Sequence, residues 1–243
     1  MLREYAARYE TEAFIEGDPS WFMHQVAGDD NREWMAFLAA GLSYGRREQF
    51  MQKTSLILRS CGGDVCSWLR SKGYEALFGK DDRRCFYRLH TCGDLYALCE
   101  SCRRVLDDYG TLGGMLRAYG VHTGAEAVQR ICAAFLSLGS GGVVPKDSTS
   151  SCKRLAMFLR WMVRRHSPVD LGLWTFLSPA TLIMPLDTHV LRMSRHLGLL
   201  QSGTATMSSA VRLTLALNEV FEGDPVKGDY ALFGYGVNHR ELE

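Results

Sequence analysis

The stretch CKRLAMFLRWMVRRH, residues 152–166, decides the fold class of this 243-residue chain. Its apolar residues recur at i, i+3, i+4 and i+7, which predicts a helix with one side facing the core. These residues are Leu155, Phe158, Leu159 and Met162. At 100° per residue, Lys153, Arg160 and Arg164 lie within about 40° of one another on a different side. We therefore expect a core helix that carries three cations along a second face.

The same helical periodicity runs through most of the chain, and no segment alternates convincingly as a strand would. Further helices are predicted at about 33–42, 48–60, 64–72, 92–108, 112–119, 123–138, 187–197, 207–221 and 225–234. Asp187 is placed to cap the helix that follows it. The glycine-rich break at 139–147 is the best candidate for a linker between lobes. The fold class predicted from these patterns is all-α.

The composition is that of an ordinary globular protein, with 47% hydrophobic and 23% charged residues and a net charge of +1. These values exclude intrinsic disorder, collagen-like chains and coiled coils. The first residues, MLREYAARYETEAF, are charged throughout and contain no apolar core, so we expect neither a signal peptide nor a membrane anchor. No segment approaches the ~18 apolar residues of a spanning helix. The expected location is cytoplasmic.

The near-neutral total charge conceals an uneven distribution. Between residues 153 and 195 the chain has seven Lys and Arg against two acidic residues, Asp170 and Asp187. A neutral total argues against a protein that coats nucleic acid, but it leaves room for one basic face. We therefore predict a single basic surface around residues 153–195.

Four of the eight cysteines have a spacing that deserves comparison with a metal site. Cys85, Cys92, Cys99 and Cys102 follow the pattern C-x6-C-x6-C-x2-C, and the last three share the spacing that opens an iron–sulfur loop in some DNA-repair enzymes. Asp108 occupies the position where a fourth cysteine would follow, and residues 94–98 are predicted to be helical. We therefore expect no metal and no cofactor. The other four cysteines, Cys61, Cys66, Cys132 and Cys152, are expected to be reduced and to pack as small apolar side chains.

Lys153 and Asp187 are the central pair of candidate functional residues. Taken alone, Lys153 could be a solvated lysine in a first helical turn, and Asp187 a helix cap. Three surrounding motifs favour a functional role. IMPLDTHVLRMSRHLGL (183–199) resembles a segment of the helix-hairpin-helix DNA glycosylases, and FLAAGLSYG (37–45) resembles the helix end that reaches the lesion in that superfamily. Asp229 and Phe233 are similar to a base-binding pair in its archaeal 8-oxoguanine glycosylases.

A closer resemblance is to an uncharacterised bacterial family that is distantly related to these glycosylases. It is carried by SCKRLAMFLRWMVR (151–164), PLDTHV (185–190) and DPVKGDYALFG (224–234), and it covers nearly the whole chain. The resemblance to the glycosylases implies an all-α, two-lobed fold with the active site in the cleft between lobes. Lobe A would comprise roughly residues 1–45 and 140–243, and lobe B roughly residues 46–139.

The resemblance, together with residue type and position, gives candidate roles to individual residues. Lys153 takes the position of the catalytic lysine, and Asp187 that of the catalytic aspartate. The residues expected in the base pocket are Asp229, Phe233, Trp174, Tyr44 and Ser43. Candidates for contacts with DNA phosphates are Arg154, Arg160, Arg164, Arg192, Arg195 and Lys227. His189 is expected to be a structural hydrogen-bonding residue.

The chain departs from the glycosylase pattern at three places. The glycine hairpin that normally precedes the lysine, and that binds a DNA phosphate, is replaced by residues 147–152. The nearest glycines are Gly139, Gly141 and Gly142. Tyr44 replaces the glutamine of the lesion-reaching motif, and the cysteine loop that follows the aspartate in cluster-bearing relatives is missing.

The predicted activity is that of a DNA glycosylase with AP-lyase activity on an oxidised purine such as 8-oxoguanine. A lysine amine can attack sugar C1′ once it is neutral, and partial burial and nearby arginines favour the neutral amine. The expected partner is damaged double-stranded DNA, which places the protein at the nucleoid, with no obligate protein partner and no membrane. Two alternatives stay open: a non-catalytic protein that binds DNA or a modified nucleotide, and an enzyme that acts on a free nucleoside.

Overall fold

Helices account for most of the chain, as the apolar periodicity predicts. The computed structural model describes residues 1–140, 142–201 and 203–239; Gly141 lies outside the described residues. The α-helices of the described residues are α1 (Leu2–Tyr9), α2 (Asp29–Leu42), α3 (Arg47–Cys61), α4 (Val65–Arg70), α5 (Cys92–Tyr109), α6 (Leu112–Ala118), α7 (Gly124–Ser137), α8 (Lys153–Val163), α9 (Thr188–His196), α10 (Met207–Asn218) and α11 (Gly228–Asn238). Short 3-10 segments connect several of them. They span Glu12–Phe14, Pro19–His24, Gly73–Ala76, Pro179–Thr181 and Pro225–Lys227.

The ends of these helices follow from local capping chemistry. Thr91 and Asp94 form a capping box at the start of α5, in which each side chain accepts from the backbone N–H of the other residue. Gly62 ends α3 in the left-handed conformation that glycine adopts without a steric penalty. The prediction that Asp187 caps α9 is confirmed, because its side chain accepts from the backbone N–H of Val190.

One element is absent from the sequence prediction. Two short antiparallel strands, β1 (Cys85–Tyr87) and β2 (His90–Thr91), form a hairpin immediately before α5. Strands of three and two residues are too short to produce a readable alternation of apolar and polar residues.

The described residues divide into two compact units. Unit 1 contains residues 1–16, 122–128 and 148–243, and unit 2 contains residues 17–121 and 129–147. The lobe limits and the cleft inferred from the glycosylase resemblance stay a prediction. None of the helices in the described residues combines the length and the apolar character that crossing a bilayer requires.

Unit 2 is organised around α2. The predicted apolar side of this helix is buried, and it consists of Trp34, Phe37, Leu38 and Leu42. Trp34 Nε1–H donates to the backbone oxygen of Gly110 at 3.2 Å, and the buried Glu33 carboxylate accepts from the backbone N–H of Gly113 at 3.0 Å. These two bonds attach α2 to the turn between α5 and α6.

Unit 1 is organised around α8. The predicted core-facing residues Leu155, Phe158, Leu159 and Met162 are all at most 4% exposed, which confirms that side of the helix. The rest of α8 is also buried from Leu155 to Val163, whereas the sequence predicts a cationic second face. Loop backbone closes the end of the helix, because the N–H groups of Leu171 and Trp174 donate to the oxygens of Trp161 and Met162 at 2.8 and 2.7 Å.

A carboxylate of unit 2 gives the fold a measurable pH dependence. Glu100 accepts hydrogen bonds from Tyr74 and from Arg103, and Lys72 Nζ lies 3.5 Å from Glu100 Oε1. Burial acts to raise the pKa of Glu100, but the hydrogen bonds from Arg103 and Tyr74 and the nearby cations lower it to about 2.

We expect this carboxylate to make the protein less stable in acid. A carboxyl with a lowered pKa in the folded state contributes stability above its unfolded pKa of about 4.3, and that contribution is lost as the pH falls toward about 2. Over that window one group changes the free energy of unfolding by up to about 1.4 kcal/mol per pH unit. The free energy of unfolding, measured by urea unfolding at several values between about pH 5 and pH 3, should depend less steeply on pH in Glu100→Gln than in the wild type. Glu48→Gln, a variant at an exposed position, should show the same pH dependence of the free energy of unfolding as the wild type. An unchanged pH dependence in Glu100→Gln would contradict the role assigned to Glu100.

Candidate active site

Lys153 and Asp187 lie in direct contact within unit 1. Lys153 Nζ is 2.8 Å from Asp187 Oδ2, although the two residues are 34 positions apart in sequence. Lys153 is the first residue of α8, and Asp187 is the residue that precedes α9. The side chains are 34% and 33% exposed, so water or a small group of a substrate can reach both.

The two oxygens of Asp187 have separate partners. Oδ1 accepts from the backbone N–H of Val190 at 2.8 Å, and Oδ2 faces the Lys153 ammonium. Burial acts to raise the pKa of Asp187, but the charge and hydrogen bond of Lys153 and the Val190 N–H outweigh it, so the pKa lies below its usual value. Asp187 is therefore a fixed carboxylate that stays ionised at neutral pH.

The backbone before Lys153 is braced by a short antiparallel contact in place of a glycine hairpin. Ser150 pairs with Thr206, the Ser151 N–H donates to the Ala205 oxygen, and the Met207 N–H donates to the Thr149 oxygen. Cys152 then adopts a left-handed conformation with φ +46°, which is strained for a residue with a Cβ. The sharp turn at Cys152 fixes where α8 begins and thus where Lys153 projects.

His189 lies beside the pair and packs against α11. A Cβ built at Gly236 would lie 2.4 Å from His189 Nε2, so this imidazole needs a glycine opposite it. Arg192 Nη2 is 3.4 Å from His189 Nδ1. These contacts agree with a structural role for His189, which stays a prediction.

Arg160 and Arg164 have internal partners, which corrects the predicted phosphate contacts and the predicted cationic face of α8. Both side chains are 3% exposed. Arg160 pairs with Asp170 and Asp229, whereas the Arg164 guanidinium contacts three carboxylates, those of Glu10, Asp170 and Asp224. Guanidinium groups buried on carboxylates are not available to DNA. The basic surface predicted for residues 153–195 therefore lacks two of its seven cations.

Tyr230 and Asp170 lie at the centre of this buried ionic cluster. The Asp170 side chain is fully buried and accepts from Arg160 Nε at 3.2 Å, Arg164 Nη1 at 2.5 Å and the Tyr230 hydroxyl at 3.0 Å. The guanidinium carbons of Arg160 and Arg164 lie 4.4 and 5.5 Å from the centre of the Tyr230 ring. Burial raises the pKa of Tyr230 well above its usual value.

Asp229 and Phe233 lie on α11, one turn apart, but both are engaged within the protein. Asp229 accepts from Arg160, and its side chain is 17% exposed. The Phe233 ring is half-buried and packs edge-on against Phe14 and Tyr9, with centroid distances of 5.0 and 5.8 Å. A base that contacts this pair would therefore meet Tyr9 and Phe14 as well, two aromatic residues that the sequence motifs do not identify.

The other residues expected in the base pocket are placed differently. Trp174 is 2% exposed and packs against Phe158, and the Ser43 hydroxyl is buried and donates to the Ala39 oxygen at 2.6 Å. Both residues therefore belong to the core, and this corrects their assignment to a base pocket. Tyr44 is half-buried at the end of α2, in unit 2, where its hydroxyl donates to the Tyr87 oxygen at 3.2 Å.

The remaining predicted phosphate contacts are at or near the surface. Arg154 and Arg192 are half-buried, whereas Arg195 is exposed and donates to the Gly203 oxygen. Lys227 Nζ lies 3.4 Å from Glu10 Oε2. Roles for these residues at phosphates stay predictions.

The four spaced cysteines do not converge on a metal site in the structure. Cys99 and Cys102 are fully buried on α5, and burial raises the pKa of both thiols, whereas Cys85 is exposed on β1. In the described ranges of the chain, no group of three or more His, Cys, Asp or Glu side chains is arranged to hold a metal ion.

The pairing of the two buried arginines with carboxylates is what sequence reasoning missed. Asp224 and Asp229 lie 60 and 69 residues after Arg164 and Arg160, and Glu10 is far upstream, so no local pattern connects them. The available signal is Asp170, which follows Arg164 by six residues.

The family comparison covers nearly the whole chain. A family model described as "Protein of unknown function (DUF2400)" matches residues 18–238. No curated protein and no solved structure matches the chain. The chain therefore belongs to the DUF2400 family of proteins of unknown function.

Proposed function

We propose that this protein is a DNA glycosylase with AP-lyase activity on an oxidised purine, such as 8-oxoguanine, in double-stranded DNA. The observation that supports it best is the distance of 2.8 Å between Lys153 Nζ and Asp187 Oδ2 in a partly exposed pair. An amine with a fixed carboxylate within hydrogen-bond reach is the arrangement that covalent catalysis through a Schiff base requires. The resemblance of residues 183–199 to the glycosylases indicates the substrate class.

The first step is attack by the neutral Lys153 amine on C1′ of the damaged nucleotide. Asp187 accepts the proton that the ammonium must lose, and the new N–C1′ bond forms as the bond from C1′ to the base breaks. The electron pair of that bond leaves with the base, and the proton passes from Asp187 to the departing base. Asp187 is then ionised again and can stabilise the positive charge that develops on the sugar.

The second step opens the strand. The C1′–O4′ bond breaks and O4′ takes the remaining proton of the lysine nitrogen, which gives an imine between Lys153 Nζ and C1′ and acidifies the protons on C2′. The Asp187 carboxylate takes one C2′ proton, a C2′–C3′ double bond forms, and the 3′ phosphate leaves with the electron pair of the C3′–O bond. Water then hydrolyses the imine to release the lysine. Apart from this water, the protein's own residues supply the reacting groups, so the proposal includes no cofactor.

Duplex DNA must present the damaged nucleotide outside the base stack, because C1′ attack requires access that a stacked base pair denies. On α11, Asp229 and Phe233, with Tyr9 and Phe14 beside them, are the groups that we propose to contact the flipped base. Arg154, Arg192, Arg195 and Lys227 are the proposed phosphate contacts.

Trapping with borohydride tests the proposal. Reduction of the imine should link wild-type protein covalently to an 8-oxoguanine duplex, with oxidised, alkylated and abasic duplexes as a panel. Absence of an adduct on the entire panel would refute the glycosylase. Salt-dependent duplex binding without an adduct would instead favour a non-catalytic binding protein, and base release from free nucleosides alone would favour a nucleoside enzyme.

Substitutions at Asp187 can separate its charge from its role as a helix cap. Asparagine caps helices as well as aspartate does, so Asp187→Asn should keep the bond from Val190 N–H and lose less than about 1 kcal/mol of stability. Its single-turnover rate of base release should fall by about 10²- to 10³-fold. Asp187→Ala should lose about 1 kcal/mol more, because the cap is also removed. Equal rates for Asp187→Asn and wild type would contradict the proposed role of the carboxylate.

A further inference from the structure

The β1–β2 hairpin ends in a two-residue turn with an unusual composition. Tyr87 pairs with His90, so Arg88 and Leu89 form the turn. Leu89 is 86% exposed, the largest exposed fraction of any large apolar side chain in the described ranges. Arg88 has a φ of +53°, a conformation that disfavours residues other than glycine and asparagine.

Both residues depart from what turn stability favours. Two-residue hairpin turns are dominated by Asn-Gly, Asp-Gly and other glycine pairs, because those residues adopt positive φ easily and remain hydrated. A single exposed leucine elsewhere on a surface needs no explanation. At this hairpin tip an apolar side chain is exposed where polar residues are usual, and a residue other than glycine or asparagine has a positive φ. Such departures concentrate at functional sites.

The hairpin is anchored immediately beside its turn, at Tyr87. The Tyr44 hydroxyl donates to the Tyr87 oxygen at 3.2 Å, and the Tyr87 hydroxyl donates back to the Tyr44 oxygen. The rings of Tyr44 and Tyr87 lie 5.0 Å apart. The Arg88 side chain crosses Gly45 so closely that a Cβ there would lie 2.8 Å from Arg88 Nη1. The residues that follow α2 therefore support the turn from one side.

The segments that form and support the hairpin are rich in basic residues. Residues 79–91 carry four Lys and Arg against two Asp, and residues 44–53 carry three against one Glu. One of those acids, Asp82, is already paired with Arg84 at 2.6 Å. Arg46, Arg47, Arg83 and Arg88 are exposed, and within the described residues none of them forms an ion pair. The turn thus presents an exposed leucine beside Arg88, and the segments that form and support the hairpin carry the other three of these exposed arginines.

We propose that this tip is a DNA wedge, in which Leu89 inserts between adjacent base pairs while these arginines bind the flanking phosphates. Apolar side chains inserted between base steps, with basic residues on the backbone, are a recurrent means of opening a duplex. An anchored hairpin suits this use because little conformational entropy is lost on insertion. The choice of DNA as the partner rests on the proposed function. Insertion of Leu89 does not require the reaction proposed for Lys153.

The test uses full-length protein that carries Lys153→Gln, so that binding is observed without catalysis. The DNA is a duplex with 2-aminopurine next to an abasic analogue, where insertion meets the least resistance. Binding should raise the 2-aminopurine fluorescence, since insertion unstacks that base. Adding Leu89→Ser should abolish the rise and weaken binding by about tenfold. Stability should not change, because the side chain is already 86% exposed.

Leu136→Ser is the matched control, because Leu136 is an exposed leucine of α7 that lies outside the hairpin. It should leave fluorescence and affinity unchanged. Arg88→Gly should keep or improve stability. It should weaken DNA binding, and the slope of log affinity against log salt concentration should become shallower by about 1.

The outcomes distinguish the wedge from the proposed chemistry. A signal and an affinity that survive Leu89→Ser, or failure to bind duplex DNA at all, would overturn the wedge. If wild-type protein is trapped on DNA while Leu89→Ser changes neither the 2-aminopurine fluorescence nor the affinity for DNA, only the wedge is refuted. A Leu89-dependent signal without trapping would support the wedge and refute the glycosylase.

Discussion

Lys153→Gln is expected to lower the single-turnover rate of base release by on the order of 10³-fold or more, and to abolish borohydride trapping. The variant removes the proposed nucleophile but keeps a polar side chain at the start of α8. Stability should fall by at most about 1 kcal/mol, since a one-third-exposed ion pair contributes little. Rates are measured on an 8-oxoguanine duplex with enzyme in excess, so that product release does not limit them.

Lys146→Gln is the control for this variant. Lys146 is exposed and precedes the same helix, so its loss should leave rate and trapping unchanged. Combining Lys153→Gln with Asp187→Asn should slow the reaction little more than Lys153→Gln alone, because residues that act on one step have non-additive effects. A Lys153→Gln protein with a rate within tenfold of the wild type would refute the assigned nucleophile.

Asp170→Asn is expected to destabilise the protein by about 3–5 kcal/mol, the largest stability effect that we predict. The Asp170 carboxylate is fully buried and accepts from Arg160, Arg164 and Tyr230. The amide removes one negative charge from a site where two guanidinium groups are 3% exposed, and it introduces N–H donors that face other donors. Urea unfolding monitored by tryptophan fluorescence measures the loss.

Tyr230→Phe provides the comparison at the same site. It removes one hydrogen bond to Asp170 and leaves the charges balanced, so it should cost about 1–3 kcal/mol. An Asp170→Asn variant that loses less stability than Tyr230→Phe would contradict the view that Asp170 is the central counter-ion. Because this cluster anchors the far end of α8, its loss should disturb the fold as a whole.

Local patterns in the sequence predict the helices well. The buried side of α8, the buried side of α2 and the Asp187 cap follow from spacing and capping chemistry alone, because those rules act over a few residues. The β1–β2 hairpin escapes prediction because its strands are too short for a period to emerge.

The burial of charged residues cannot be predicted from local sequence when their ionic partners are distant in the chain. Helical geometry places Arg160 and Arg164 away from the core-facing side of α8, and their sequence suggests a solvated cationic face. Both arginines are buried in the structure because three acidic residues from distant segments of the chain, Asp224, Asp229 and Glu10, form ion pairs with them. Charge counts along a segment therefore overstate the exposed basic surface whenever carboxylates elsewhere in the chain supply counter-ions.

The contact between Lys153 and Asp187 could be predicted only through family resemblance. Spacing rules do not bring residues 34 positions apart together across an irregular loop, and each residue has an ordinary local explanation. The 2.8 Å distance between Nζ and Oδ2 makes a joint role chemically reasonable. Trp174 and Ser43, two residues expected in the base pocket, have side chains that are buried in the core.

The most direct test of the proposed chemistry is to locate the trapped adduct by mass spectrometry. Wild-type protein is reduced with borohydride on an 8-oxoguanine duplex, digested with nuclease and protease, and the modified peptide is sequenced. We predict a single sugar remnant on the Nζ of Lys153. An adduct on another lysine, or no adduct under conditions where a control AP lyase is trapped, would contradict the assignment of Lys153 as the nucleophile.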